Sequence, residues 1–79
     1  MPTCRAEFTI EPFEEGHQGP HVTAAIEAVV AEGLSPDVGP FGTAITGDSN
    51  AVVGAIARVI DAATGAGATR VTVNLEARP

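Results

Sequence analysis

The chain has 79 residues, 44% of them hydrophobic, and a formal charge of −6 at pH 7; this supplies one packed domain with one modest core and is too short for two. Four basic residues leave no stripe to neutralise nucleic acid or an anionic membrane surface. One cysteine excludes an intrachain disulfide, and no apolar run approaches the roughly 20 residues that span a bilayer.

From Cys4 to Ile10 the residues alternate, with Cys4, Ala6, Phe8 and Ile10 on one face and Arg5, Glu7, Thr9 and Glu11 on the other, the pattern of a half-buried strand. Pro12 ends it, and Glu14 to Pro20 reads as a polar, glycine-containing connection. Pro20 suits the first turn of a helix in which Val22, Ile26, Val29 and Val30 recur at helical spacing, and Gly33 stops it. Leu34 to Gly39 is short and interrupted by Pro36, which places any strand there at a sheet edge.

Pro40 removes a backbone donor ahead of a third strand, Phe41 to Thr46, and Gly42 permits close approach of another backbone. Asp48 or Ser49 then caps a second helix whose apolar stripe is Val52, Val53, Ile56, Val59, Ile60 and Ala63, terminated by Gly65 and Gly67. The last strand is Arg70 to Glu76, with Val71, Val73 and Leu75 facing inward. The order β-α-β-β-α-β predicts an α+β, ferredoxin-like domain over residues 1–79, with two helices on one face of a four-stranded antiparallel sheet. The other face, rich in Arg, Glu, Thr and Asn, is left for water, a ligand or another subunit.

No arrangement of residues defines a catalytic centre. His17 and His21 are four apart, but Gly19 and Pro20 between them break the helical geometry that would make the spacing a metal pair. Cys4 sits on the apolar face of its strand and reads as a small core residue, and Glu14-Glu15 as a solvated turn. The glycines at 39, 42 and 47 match neither a P-loop nor a dinucleotide fingerprint. Glu7 and Thr9 set an acceptor beside a donor/acceptor on the uncovered face, where they serve either ligand contact or solubility and cross-strand bonding. Thr43 shares a face with Phe41 and Ile45, which directs its hydroxyl into the domain.

The segments Ala6-Glu7-Phe8-Thr9-Ile10-Glu11-Pro12, Pro40-Phe41-Gly42-Thr43-Ala44-Ile45-Thr46-Gly47-Asp48 and Gly65-Ala66-Gly67-Ala68-Thr69-Arg70-Val71 resemble the small thiamine-binding protein family, related to the YkoF-type thiamine-binding domains. The resemblance covers nearly the whole chain. It implies a non-enzymatic, cofactor-free binder of thiamine or its hydroxymethylpyrimidine precursor, assembled through its sheets as a homodimer or homotetramer. Carried onto this chain, it favours Glu7 and Thr43 for ligand contact, with Thr9 and Asn74 as further candidates. A carboxylate and hydroxyls suit an aminopyrimidine and a cationic thiazolium ring. The chain departs from the family in having Pro36 where relatives often carry a tyrosine and Thr46 where they often carry a glutamate.

Two other readings fit the same elements: a small enzyme of the dimeric α+β-barrel kind, with a histidine or carboxylate in a pocket between sheet and helices, and an ACT-like regulatory or assembly domain. Under every reading, the open outer face and the proline-free edge of the last strand predict self-association. With no basic segment ahead of an apolar run at the N-terminus, the expected setting is cytoplasmic.

Overall fold

Alternation along the first strand translates directly into burial. The computed structural model describes residues 2–12, 19–39 and 42–78. Its elements run β1 (Thr3–Glu11), α1 (Pro20–Ala31), β2 (Asp37–Val38), β3 (Thr43–Asp48), α2 (Ser49–Gly65) and β4 (Arg70–Arg78). The strands form one antiparallel sheet in the order β2-β3-β1-β4. This is the expected α+β ferredoxin-like arrangement. Glu14, Glu15, His17, Pro40 and Phe41, named above, lie outside the described residues.

Cys4, Ala6, Phe8 and Ile10 of β1 all point to the helices and are buried, with Ile45 of β3 beside them. The helices close this core with small side chains, Ala25 and Val29 from α1 and Val52, Ala55, Val59 and Ala63 from α2, each fully enclosed. Alanines at the contact let two helices approach closely over a sheet of this size. The helical stripes are narrower than periodicity suggests. Val30, Val53 and Ile60 stand out in solvent, and the methyl groups of Ala25 and Ala55 take their place in the core.

The ends of the elements follow from backbone chemistry. Gly33 and Gly67 adopt φ of 83° and 108°. At this left-handed conformation, favoured by glycine, the following amides turn back: Leu34 N–H donates to Val29 O at 3.3 Å and Ala68 N–H to Ala63 O at 2.9 Å. Gly65 is the last residue inside α2, so Gly67 alone makes the reversal there. Asp48 starts α2, its carboxylate accepting from the Asn50 N–H at 3.2 Å. α1 begins with Pro20 and has no side-chain cap. His21 in its first turn instead ties the helix to the end of β1, its Nε2 bonded to the Pro12 carbonyl. β4 is fastened to β1 at its start by Thr69, whose N–H donates to Glu11 O at 2.8 Å.

β2 is the predicted edge strand, reduced to Asp37 and Val38. A Gly39 N–H to Gly42 O bond of 2.8 Å continues its pairing with the approach to β3. β1 is the spine, paired with β3 from Thr3 to Phe8 and with β4 from Thr3 to Glu11.

Candidate ligand-binding face of the sheet

The register decides which polar residues can meet. Glu7 lies directly between Ala44 of β3 and Asn74 of β4, and Ala44 is in turn opposite Asp37 of β2. Directly opposed residues in an antiparallel sheet share a face. Since Phe8 points to the helices, the row Asp37, Ala44, Glu7, Asn74 looks out from the side without helices. Thr9, one step along the same face, opposes Thr72.

At the β3 end of this region the sheet has almost no side chains. A Cβ built at Gly42 would lie 3.2 Å from Phe8 O, 3.3 Å from Thr9 Oγ1 and 3.7 Å from Glu7 Cγ. Glycine there lets the Phe8 carbonyl, the Thr9 hydroxyl and the stem of Glu7 close over its Cα, and together they form a floor. Ala44 continues the floor, a small residue that is almost fully covered although it lies outside the apolar core. Glu7 and Asp37 stand on either side of Ala44, on strands whose backbones lie about 9.6 Å apart at two strand spacings. Glu7, Asp37 and Asn74 are exposed and Thr9 is half-buried. Such a surface offers acceptors, with a hydroxyl and an amide beside them, around the small residues Gly42 and Ala44. It suits a small planar donor or a cation.

Three of the four residues expected to touch a ligand are therefore on one face: Glu7, Thr9 and Asn74. Thr43 is not with them. It opposes Phe8 and Val38, points toward the helices and is 5% exposed. Glu7 and Thr43 leave the sheet on opposite sides, so one small molecule on the outer face reaches the first and not the second. Asp37 and Ala44 lie in the same row as Glu7 without being among the expected residues; the sequence pattern puts Asp37 on an edge strand and gives it no role. Only the pairing of Asp37 with Ala44 brings it into line with Glu7, and a two-residue strand has too little alternation to reveal that register.

Elsewhere the polar groups serve the fold. Thr23 and Thr64 hydroxyls donate to carbonyls one turn back in their helices, and the ion pair among the described residues joins Arg70 to Glu11 at 3.9 Å across exposed strand ends. Among the described residues no three histidine, cysteine or carboxylate side chains gather as metal ligands. Cys4 is buried in the core, as its position on the apolar face predicts. No helix among the described residues is long and apolar enough to cross a membrane.

Two helices on one face of a four-stranded antiparallel sheet, with the other face polar, make a small α+β domain of ferredoxin-like type. The model of the thiamine-binding protein family matches residues 6–78, and the chain belongs to that family. Solved structures agree on the fold. A domain of unknown function from Bacillus cereus is similar with a TM-score of 0.71 and 23% identity, covering 98% of this chain and 75% of its own. A hypothetical protein from Methanocaldococcus jannascii gives 0.72 at 24% identity, with 100% and 81% covered. A Thermotoga maritima protein provisionally assigned to thiamine biosynthesis or salvage gives 0.68 at 18% identity, with 98% and 83% covered. No curated protein matches the chain.

Proposed function

We infer that the chain is a non-enzymatic binding protein for thiamine or its hydroxymethylpyrimidine portion, acting as a homo-oligomer in the cytoplasm. Membership of the thiamine-binding family supports the ligand class. The observation that carries the reading on this chain is the Gly42–Ala44 floor rimmed by Glu7, Thr9, Asn74 and Asp37. An aminopyrimidine lying on that floor would donate its exocyclic N–H groups to Glu7 and accept from the Asn74 amide. The thiazolium charge would be balanced by the second carboxylate, Asp37. Thr43, on the helix side, takes a supporting part by packing β3 against Phe8.

The reading is tested by calorimetric titration with thiamine and, separately, with hydroxymethylpyrimidine. Saturable heat with either ligand supports it, and retention of affinity for the pyrimidine alone would make that ring the part recognised. Absence of both heat and thermal shift with the two ligands would overturn it.

A further inference from the structure

Where the arginines stand on this chain decides which form of a hydroxyl-bearing ligand it can take. The sequence has four basic residues, Arg5, Arg58, Arg70 and Arg78. Arg58 belongs to α2, on the helix side of the sheet. The other three share the outer face with Glu7 by alternation, and the register sets Arg5 opposite Glu76, Arg70 opposite Glu11 and Arg78 opposite Thr3.

Each of these three is flanked by acid or remote from the candidate site. Arg70 is ion-paired with Glu11 at 3.9 Å, and it is four residues along β4 from Asn74, about 14 Å. Arg78 is as far from Asn74 in the other direction. Arg5 is nearer, two residues or about 7 Å from Glu7 along β1, but it has Glu7 beside it on its own strand and Glu76 across from it.

The acids are distributed the other way. The row Asp37, Ala44, Glu7, Asn74 contains two negative charges and no positive one. Asp37 is at the β2 end of it, away from the strands that carry the arginines. From the backbone of Asp37 to that of Arg5, two strands across and two residues along, is about 12 Å, and Arg70 and Arg78 are farther still. At about 0.1 M salt the Debye length is about 10 Å, so an exposed charge beside Asp37 feels Asp37 at close range and the arginines only through screening.

In the functional reading above, the pyrimidine is held at Glu7 and Asn74 and the cationic ring extends across Ala44 toward Asp37. The hydroxyethyl arm of that ring then ends at the β2 edge. A free hydroxyl there is neutral and can donate to a carboxylate. A phosphate ester there carries about −1.5 to −2 charges at pH 7, which reverses the sign of the whole ligand and sets it against Asp37. We propose that Asp37 makes this face selective for the free alcohol over its phosphate esters. The proposal rests on the functional reading for the identity of the ligand and adds its chemical form.

Calorimetric titration with thiamine, thiamine monophosphate and thiamine diphosphate at about 0.05 M salt is expected to give falling affinity in that order, the monophosphate about tenfold weaker than thiamine. At about 1 M salt, where the Debye length is about 3 Å, the ratio should narrow severalfold. Asp37→Asn keeps the shape and is expected to weaken thiamine and strengthen the monophosphate, bringing the ratio to about twofold or less. A monophosphate bound as tightly as thiamine overturns the proposal, and Arg5→Gln then tells whether Arg5 holds the phosphate. A ratio that responds neither to salt nor to Asp37→Asn assigns the exclusion to shape and overturns the role of Asp37; the salt series decides this on the wild-type chain even if the variant folds poorly. If hydroxymethylpyrimidine binds and thiamine does not, the same tenfold difference is expected between that alcohol and its monophosphate. Absence of heat with every one of these ligands removes the functional reading and its selectivity together, whereas lost discrimination with binding intact removes the selectivity alone.

Discussion

Glu7 gains its importance from its neighbours more than from its own chemistry. A carboxylate on a sheet face is ordinary, but this one packs its stem over Gly42 and stands opposite the small Ala44, so its head borders a low stretch of the sheet. Glu7→Gln keeps the shape and removes the charge. It is expected to weaken thiamine binding about tenfold, in line with the strength of hydrogen bonds to charged groups, while leaving the melting temperature within a degree or so. Paired calorimetric and thermal scans separate the two effects, and an unchanged affinity would remove Glu7 from the site.

Gly67 is the opposite case, a residue whose role lies entirely in the backbone. At φ of 108° with open space where a Cβ would go, Gly67→Ala meets conformational strain and no clash. The expected loss is about 1–2 kcal/mol. In a domain of 79 residues this appears as a melting temperature lower by roughly 4–8 °C per kcal/mol.

Among the elements, α2 depends most on its first turn. Asp48 both ends β3 and caps the helix, so one side chain sets where strand becomes helix. Asp48→Ala is expected to cost about 1 kcal/mol, read as a lower urea midpoint with unchanged slope.

The elements themselves could be read from the sequence because each carries a local signal: period-two alternation in β1, helical spacing between Pro20 and Gly33, and turn residues at Gly47-Asp48 and Gly67. Depth of burial could not. Val53 and Ile60 fit the helical stripe as well as Val52 and Val59 do, and only the position of α1 beside Gly54 determines that the first pair faces outward. The candidate face was legible to the same degree. Alternation puts Glu7, Thr9 and Asn74 on the outer face, and also puts Thr43 on the inner one. Asp37 and Ala44 enter only through cross-strand register, which no periodicity in a two-residue strand can encode.

At the scale of the whole molecule, stability is limited by size. At about 0.05–0.15 kcal/mol per residue, a chain of 79 residues has about 4–12 kcal/mol in total. Among the described residues its core holds Phe8 with alanines, valines, isoleucines and Cys4. Covering Leu75 and Val73, which are exposed and half-buried, would therefore be a large addition to a small total, which is the energetic side of the proposed homo-oligomer.

The sheet is also uneven from one side to the other. β2 contributes two residues, β4 contributes nine, and β1 between β3 and β4 is bonded along both edges from Thr3 to Phe8. Amide hydrogen exchange should translate this into time. The amides of Asp37 and Val38 are expected to take up deuterium through brief local openings, while those of Ala6, Glu7 and Phe8 wait for the domain to unfold altogether. Equal exchange rates for the two groups would contradict this. The strand that bears Glu7 would then be the slowest clock in the protein, and deuterium uptake along it with and without thiamine would report the ligand's contribution to global stability.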